Sequence, residues 1–309
     1  MKAKTIKAVL QKKFDDFCES ITDEELREHI QKNSVITGGC IASMLLREDI
    51  NDFDVYFRDY DTALGVAQYY VNQFNLNQSA TFKGSGEPIQ VRVEQASDRI
   101  KIVVKSTGIA SEEGADDYQY FEQLDEAQAT EAGEYVERVM NVAGKIEDSA
   151  EDEKPKYRPI FITSNCITLS HKVQLVLRFY GEPDKIHETY DFVHCMNYWT
   201  SWDKELVLRP EALEALLTKE LRYVGSMYPL CSIIRTRKFL QRNWTINAGQ
   251  YLKMAMQLNQ LDLTDIKVLE DQLIGVDVAY FMEILNTLKE KNNVKVDSAY
   301  LMEIIDRMF

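Results

Sequence analysis

Residues 34–58 read SVITGGCIASMLLREDINDFDVYFR. SVIT is a short apolar run suited to a buried strand, Gly38 and Gly39 mark a turn, CIASMLL is an apolar run of helix length, and DFDVYF alternates acidic and apolar side chains at strand period. The product is a strand, a glycine turn, a helix and a second strand. Side chains two apart on a strand share a face, so Asp52 and Asp54 point one way while Phe53 and Val55 point into a core. Two carboxylates on one face can share divalent ions, because Mg²⁺ favours oxygen ligands and takes one or two carboxylates beside substrate phosphates. Glycines ahead of a helix let bare backbone N–H groups approach a phosphate. Alone, a Gly-Gly turn is equally a packing device and an Asp-x-Asp strand equally a polar edge; their combination points to chemistry.

Working outward, IKAVLQKKFDDFCESI (6–21) and TDEELREHIQK (22–32) have apolar positions at helical spacing, with Thr22 and Glu25 forming a capping box. DTALGVAQYYVNQF (61–74) continues as an amphipathic helix, and VRVEQ (91–95) with RIKIVVK (99–105) extends the sheet by two strands. YRPIFITSNCITLS (157–170) reads as a hairpin turning at Ser164 and Asn165, KVQLVLRF (172–179) as a strand, PDKIHET (183–189) as a short helix and YDFVHCMNYW (190–199) as another strand. From Pro210 the pattern is helical throughout, with runs at 210–224, 229–243, 247–259, 264–275, 276–290 and 296–308. The fold class is therefore α+β, a mixed sheet flanked by helices over residues 1–205 followed by an all-helical domain at 206–309. Residues 107–155, poor in apolar side chains, form an acidic insertion with a solvated, mobile part.

Gly38-Gly39, twelve residues, then Asp52-Phe53-Asp54 flanked by Val55 and Phe57 resembles the signature of the DNA polymerase β-like nucleotidyltransferase superfamily, with Thr37 the one imperfect match at its start. VQLVLRFYGEPDKIHETYDFVHCMNYW (173–199) and TKELRYVGSMYPLCSIIRTRKFLQRNW (218–244) look like the later elements of phage and viral proteins named as nucleotidyltransferases. The resemblance implies that Gly38, Gly39 and Ser43 line a nucleotide's phosphates and that Asp52 and Asp54 bind Mg²⁺ or Mn²⁺. It further implies that Asp191, at the start of a strand, is the third metal-binding and catalytic carboxylate. Arg235 and Lys238 share a helix face at i and i+3 and would hold the triphosphate or the acceptor; the plain alternative is a solvated basic face. The implied activity is transfer of a nucleoside monophosphate from an NTP to an acceptor hydroxyl, on an RNA end, a protein or a small molecule, with release of pyrophosphate. The order of head and helices also resembles tRNA nucleotidyltransferases. Cys40, Ile41, Ala42 and Ser43 stand where those enzymes carry a hydrophobic-Arg-Asp run, and no Glu-Asp-x-x-Arg occurs in the helical part, so CCA addition is not indicated.

Other features bound the reading. The net charge of −14 argues against a general nucleic-acid binder, but the excess is local: 111–153 hold fifteen Asp or Glu against Arg138 and Lys145. Residues 204–253 carry nine Lys or Arg against four Glu, a basic segment open to RNA. Five dispersed cysteines with no CxxC suggest neither disulfides nor zinc, which fits a reducing cytoplasm, that of the host if the gene is a phage's. No run approaches the roughly 18 apolar residues of a membrane span, and the lysine-bearing N-terminus has no apolar core of a signal peptide. His194 and Cys195 invite a Cys-His nucleophile, although alternation on a strand would send them to opposite faces and a buried cysteine beside a bonded histidine accounts for both. Tyr198, Trp199, Trp202 and Trp244 offer a base-stacking surface or, more simply, packing. The Gly84-Ser85-Gly86 run reads as a turn rather than a phosphate loop. Two functions of other classes compete: a binding or assembly protein that kept the fold and lost the activity, and a DNA-mimicking acidic surface on the insertion.

Overall fold

The computed structural model describes residues 1–76, 91–96, 99–103, 109–111, 118–120, 156–163, 165–263, 265, 268, 269 and 272. The chain divides into two compact units. The first draws its described residues from Met1–Glu122, Arg138–Thr189 and His194–Leu216, the second from Tyr190–Val193 and Leu217–Phe309.

In the first unit α1 (Ala3–Glu19) buries Ile6, Leu10, Phe14 and Phe17, spaced by three and four as one helix face requires. Helix α2 (Glu24–Lys32) is capped by Asp23, whose carboxylate accepts from Leu26 N at 3.0 Å. The expected capping box at Thr22 and Glu25 does not form. Asp23 stands one residue nearer the helix and brings a negative charge to its positive end, while Thr22 N and Oγ1 each lie 3.2 Å from Tyr69 Oη.

β1 (Ser34–Thr37), α3 (Gly39–Leu46), β2 (Phe53–Phe57) and α4 (Tyr60–Leu76) follow as the sequence pattern requires. β3 (Arg92–Ala96) and β4 (Arg99–Val103) do not extend the main sheet. They pair with each other as a separate two-stranded sheet beside α4, burying Ile100 and Ile102. The main sheet gains two strands from the start of the segment read as an acidic insertion, β5 (Ile109–Ser111) and β6 (Tyr118–Tyr120). The rest of that segment, 107, 108, 112–117 and 121–155, lies outside the described residues, as do the Gly84–Gly86 run and Ser164 of the expected hairpin turn.

β7 (Pro159–Ile162), β8 (Cys166–Leu169), β9 (Val173–Tyr180), β10 (Tyr198–Thr200) and β11 (Leu206–Val207) complete a nine-stranded sheet in the order β11-β10-β1-β2-β9-β8-β7-β5-β6. Every neighbouring pair is antiparallel except β2 with β9, which run parallel. Between β9 and β10 lies α5 (Pro183–His187). The expected strand at 190–199 survives only as β10. Val193–Cys195 turn as one 3₁₀ segment, and Phe192 makes an isolated bridge to Tyr223. Tyr190 to Val193 are thereby diverted to the second unit.

The core of the first unit gathers Ile36, Phe53, Val55, Phe57, Leu175, Leu177 and Trp199. Trp199 is fully buried with its ring centroid 5.2 Å from that of Phe14, so it packs instead of stacking on a base. Each large apolar side chain buried to this extent stabilises the fold by about 1.5–3 kcal/mol.

The second unit is helical. α6 (Pro210–Thr218) carries the chain into it and ends at Thr218, six residues before the sequence pattern suggested. α7 (Pro229–Leu240) and α8 (Ala248–Leu258) pack against each other, and Asn247 caps α8 by accepting from Gln250 N at 3.2 Å. Phe192 is fully buried, 5.6 Å from the Phe239 ring, which in turn meets Trp244 at 5.8 Å. Trp244 is thus also a packing residue. The helical runs expected beyond residue 272 lie outside the described residues.

Candidate active site

Asp54 sits in β2 directly across from Thr37 of β1 on one side and Gln174 of β9 on the other. Asp52 precedes the strand, and both carboxylate residues are half-exposed while Phe53 and Val55 are buried behind them. The register of Thr37 on Asp54 brings the Gly38–Gly39 turn next to the carboxylate strand, because the turn begins one residue beyond that pair.

Gly38 has φ 95° and ψ −153°, a backbone conformation that side-chain-bearing residues rarely adopt, and its N–H donates to the Cys195 carbonyl at 3.1 Å. Gly39 opens α3 and is exposed; a Cβ built on it meets nothing within 4 Å. No side chain caps the N-terminus of α3. The helix thus starts without a side-chain cap, at the end of the strand paired with the one that carries Asp54. Ser43 lies one turn further along α3, half-buried.

Two thiols feel the same charges. Burial pushes Cys40 well above the ordinary thiol range, with Asp54 and then Asp52 adding to the rise. Burial raises Cys166 as well, against the hydrogen bonds of Thr163 and Gln174, and again Asp54 and Asp52 add to it. The carboxylate oxygens at this face suit a hard divalent cation such as Mg²⁺ or Mn²⁺. Among the described residues, no group of three or more His, Cys, Asp or Glu side chains is arranged to hold a metal ion.

Asp191, Arg235 and Lys238 all belong to the second unit. Asp191 is not on a strand of the sheet: its main-chain carbonyl accepts from Val224 N at 3.0 Å, and its carboxylate takes a 2.8 Å ion pair from Arg235 Nη1. Lys238, one turn along α7, is exposed. Several other cations of the basic segment are also engaged: Arg209 with Asp184, Arg222 with Glu220 at 3.6 Å, and Lys253 with the Tyr223 carbonyl at 3.3 Å.

Cys195 offers its carbonyl to Gly38 from the 3₁₀ turn, and His194 is buried beside it. The alternation argument for these two residues fails, since they are not on a strand. Trp202 carries the Arg58 guanidinium 4.7 Å above its ring, and Tyr198 lies 5.6 Å from the His187 ring.

Sequence reading overlooked the residues behind the glycine turn. Thr37 Oγ1 lies 2.8 Å from His187 Nε2 and donates to the Asn197 carbonyl at 2.9 Å, all of it buried. The available signal was Thr37 itself, a polar residue where the motif it resembles has an apolar one.

The family described as "Gabija anti-defense 2 family protein" matches residues 8–219. Among curated proteins, "Gabija anti-defense 2" of Bacillus phage SPbetaL7 is 22% identical over 107 residues, covering 34% of this chain and 27% of that protein. Among solved structures, the Thermotoga maritima CCA-adding enzyme complexed with tRNA is similar at TM-score 0.36 and 9% identity, over 80% of this chain and 45% of that one. A tRNA-processing enzyme with CTP gives TM-score 0.37 and 12% identity, over 86% and 55%. A tRNA nucleotidyltransferase complexed with a primer tRNA and an incoming ATP analog gives 0.33 and 11%, over 86% and 59%. The chain thus spans about a quarter of the curated relative and about half of these structures. TM-scores this low carry no argument; the α+β fold stands on the strand pairing of the chain itself.

Proposed function

The chain belongs to the Gabija anti-defense 2 family, and we propose that it acts as a phage-encoded, metal-dependent nucleotidyltransferase in the host cytoplasm, directed against the defence its family is named for. The observation that carries this reading is the register of Thr37 on Asp54, which puts two same-face carboxylates beside an uncapped, glycine-opened helix N-terminus. In this reading the head spans residues 1–205 and the helical domain 206–309. Asp52 and Asp54 would hold Mg²⁺ or Mn²⁺, which when bound neutralises phosphate charge and stabilises attacking and leaving oxygens. Gly38 and Gly39 line the phosphates, the Gly39 N–H donating to them while that of Gly38 stays on the Cys195 carbonyl, with Ser43 one turn behind. An acceptor hydroxyl attacks the α-phosphorus, the new P–O bond forms as the bond to pyrophosphate breaks, and the hydroxyl proton passes to a nearby carboxylate or to water. Asp191 as third carboxylate, and Arg235 and Lys238 as phosphate or acceptor contacts, enter the proposal from sequence resemblance. The acceptor is an RNA end, a protein or a small molecule; the basic segment at 204–253 makes RNA the first to try.

The Asp191–Arg235 ion pair favours a second reading, a binding protein that keeps the fold without transfer, because it occupies the expected third carboxylate. Transfer of label from each α-labelled NTP with Mg²⁺ or Mn²⁺, using total RNA and cell lysate as acceptors, separates the two. Label transfer that disappears in Asp52→Ala/Asp54→Ala supports the enzyme; absence of both transfer and metal-dependent NTP binding supports the second reading.

A further inference from the structure

We propose that Thr37 and His187 are positioning residues for the nucleotide site, part of a closed hydrogen-bonded ring with Asn197 and Arg209 that holds the Gly38 turn against Asp54. This rests on the site proposed above. The ring is built from five contacts within the first unit. Arg209 Nη2 lies 3.2 Å from His187 Nδ1, His187 Nε2 lies 2.8 Å from Thr37 Oγ1, and Thr37 Oγ1 lies 2.9 Å from the Asn197 carbonyl. Asn197 Oδ1 accepts from Arg209 N at 2.8 Å, which returns the circuit to its start. The fifth contact, 3.4 Å from Thr37 Oγ1 to the Cys195 carbonyl, adds the residue whose same carbonyl holds Gly38 N.

The donor roles follow from chemistry. A guanidinium can only donate, so Nδ1 must accept and the imidazole proton must sit on Nε2. That proton goes to Thr37 Oγ1, which leaves the hydroxyl's single hydrogen for Asn197. A charged imidazolium would present a second N–H to Arg209. Burial, and after it the Arg209 cation, accordingly push His187 down to about 4, against the opposing pull of Asp184. Thr37, His187 and Asn197 are all buried, which shields the bonds of the Thr37 hydroxyl from water. The ring ends on Thr37, the last residue of β1 before Gly38 and the one paired with Asp54. A hydroxyl is needed there, where the family it resembles makes do with an apolar side chain.

The test uses the full chain. Isotope-labelled imidazole nitrogen shifts report the His187 tautomer without nucleotide or metal; Mg²⁺-dependent binding of ATP, GTP, CTP and UTP is then measured for wild type, Thr37→Val, Thr37→Ser and His187→Gln. Valine is isosteric and keeps the packing, so loss of the two buried hydrogen bonds of the hydroxyl is read as placement of the turn. The expected result is the Nε2–H tautomer, affinity for the bound NTP lower by about tenfold in Thr37→Val, and affinity kept in Thr37→Ser and His187→Gln, which retain the donors. An Nδ1–H tautomer, Thr37→Val binding like wild type, or Thr37→Ser as weak as Thr37→Val would overturn the proposal. Wild type binding none of the four NTPs overturns the nucleotide site and this role together, while the tautomer still shows whether the ring exists.

Discussion

Asp54 and Asp191 were expected to do the same work, and the structure gives them different settings. Asp54 is held in register by strands on both sides, half-exposed, on a face shared with Asp52. Asp191 lies in a short segment of the helical unit, nine-tenths buried, its carboxylate engaged by Arg235. The contrast teaches that a carboxylate's use depends on what its neighbours leave open. Asp52 and Asp54 share one half-exposed face at the sheet, whereas Asp191 is buried with its carboxylate engaged by Arg235.

The largest expected effect tests the first half of this contrast. Asp52→Asn with Asp54→Asn should remove label transfer by roughly a thousandfold or more, several kcal/mol of stabilisation lost at the metal site, with the circular dichroism spectrum unchanged. Asp191→Asn is the counterpart: equal loss would unite the two acids in one catalytic set, and retained Mg²⁺-dependent NTP binding with lowered stability would leave Asp191 to the helical unit.

Next comes the pH response of the ring behind the turn. His187 titrates at about 4 when folded, below the ordinary 6.5. The unfolded chain therefore binds the proton first, and the contribution to stability is full above pH 6.5 and lost as pH falls toward 4. Its ceiling is about 3 kcal/mol. Arg209 and Tyr198 face the ring and Asp184 opposes the shift, so urea unfolding at pH 7 and pH 5 should be compared between wild type and His187→Leu. A pH-dependent loss of equal size in both would remove His187 from the account.

Gly38→Ala should cost about 1–3 kcal/mol, because its backbone conformation is one that a Cβ resists. Gly39→Ala, with open space around its Cβ, should leave thermal stability nearly unchanged and weaken NTP binding. Equal melting temperatures for the two variants would contradict the geometry of the turn. Smallest is Arg235→Gln: the pair with Asp191 is partly exposed on the arginine side, so about 1 kcal/mol of stability is at stake, read by chemical denaturation.

Much of this was legible in the sequence for physical reasons. The helix α1 face, the strand at 53–57 and the glycine turn are local patterns, fixed by side-chain period and by glycine's freedom at Gly38. The misreadings came where distant residues decide. YDFVHCMNYW has strand composition, but Phe192 finds Tyr223 and Phe239 to pack on, which draws Tyr190–Val193 away from the sheet. The pairing of β3 with β4 in a sheet of their own could not be read from alternation, which gives a face and not a partner. Asp52 and Asp54 could be placed together on one face because their spacing is local. The Thr37–His187 bond joins residues 150 apart, a distance no sequence period reports.

The parallel pairing of β2 with β9 has a consequence in time. Asp54 and its partner Gln174 are separated by roughly 120 residues, and bacterial ribosomes add about 5–20 residues per second. For roughly 6–24 s of synthesis the strand bearing Asp54 exists with β1 available and its other flank unmade. The carboxylate face is thus finished only once translation has passed Tyr180, however early its own codons were read.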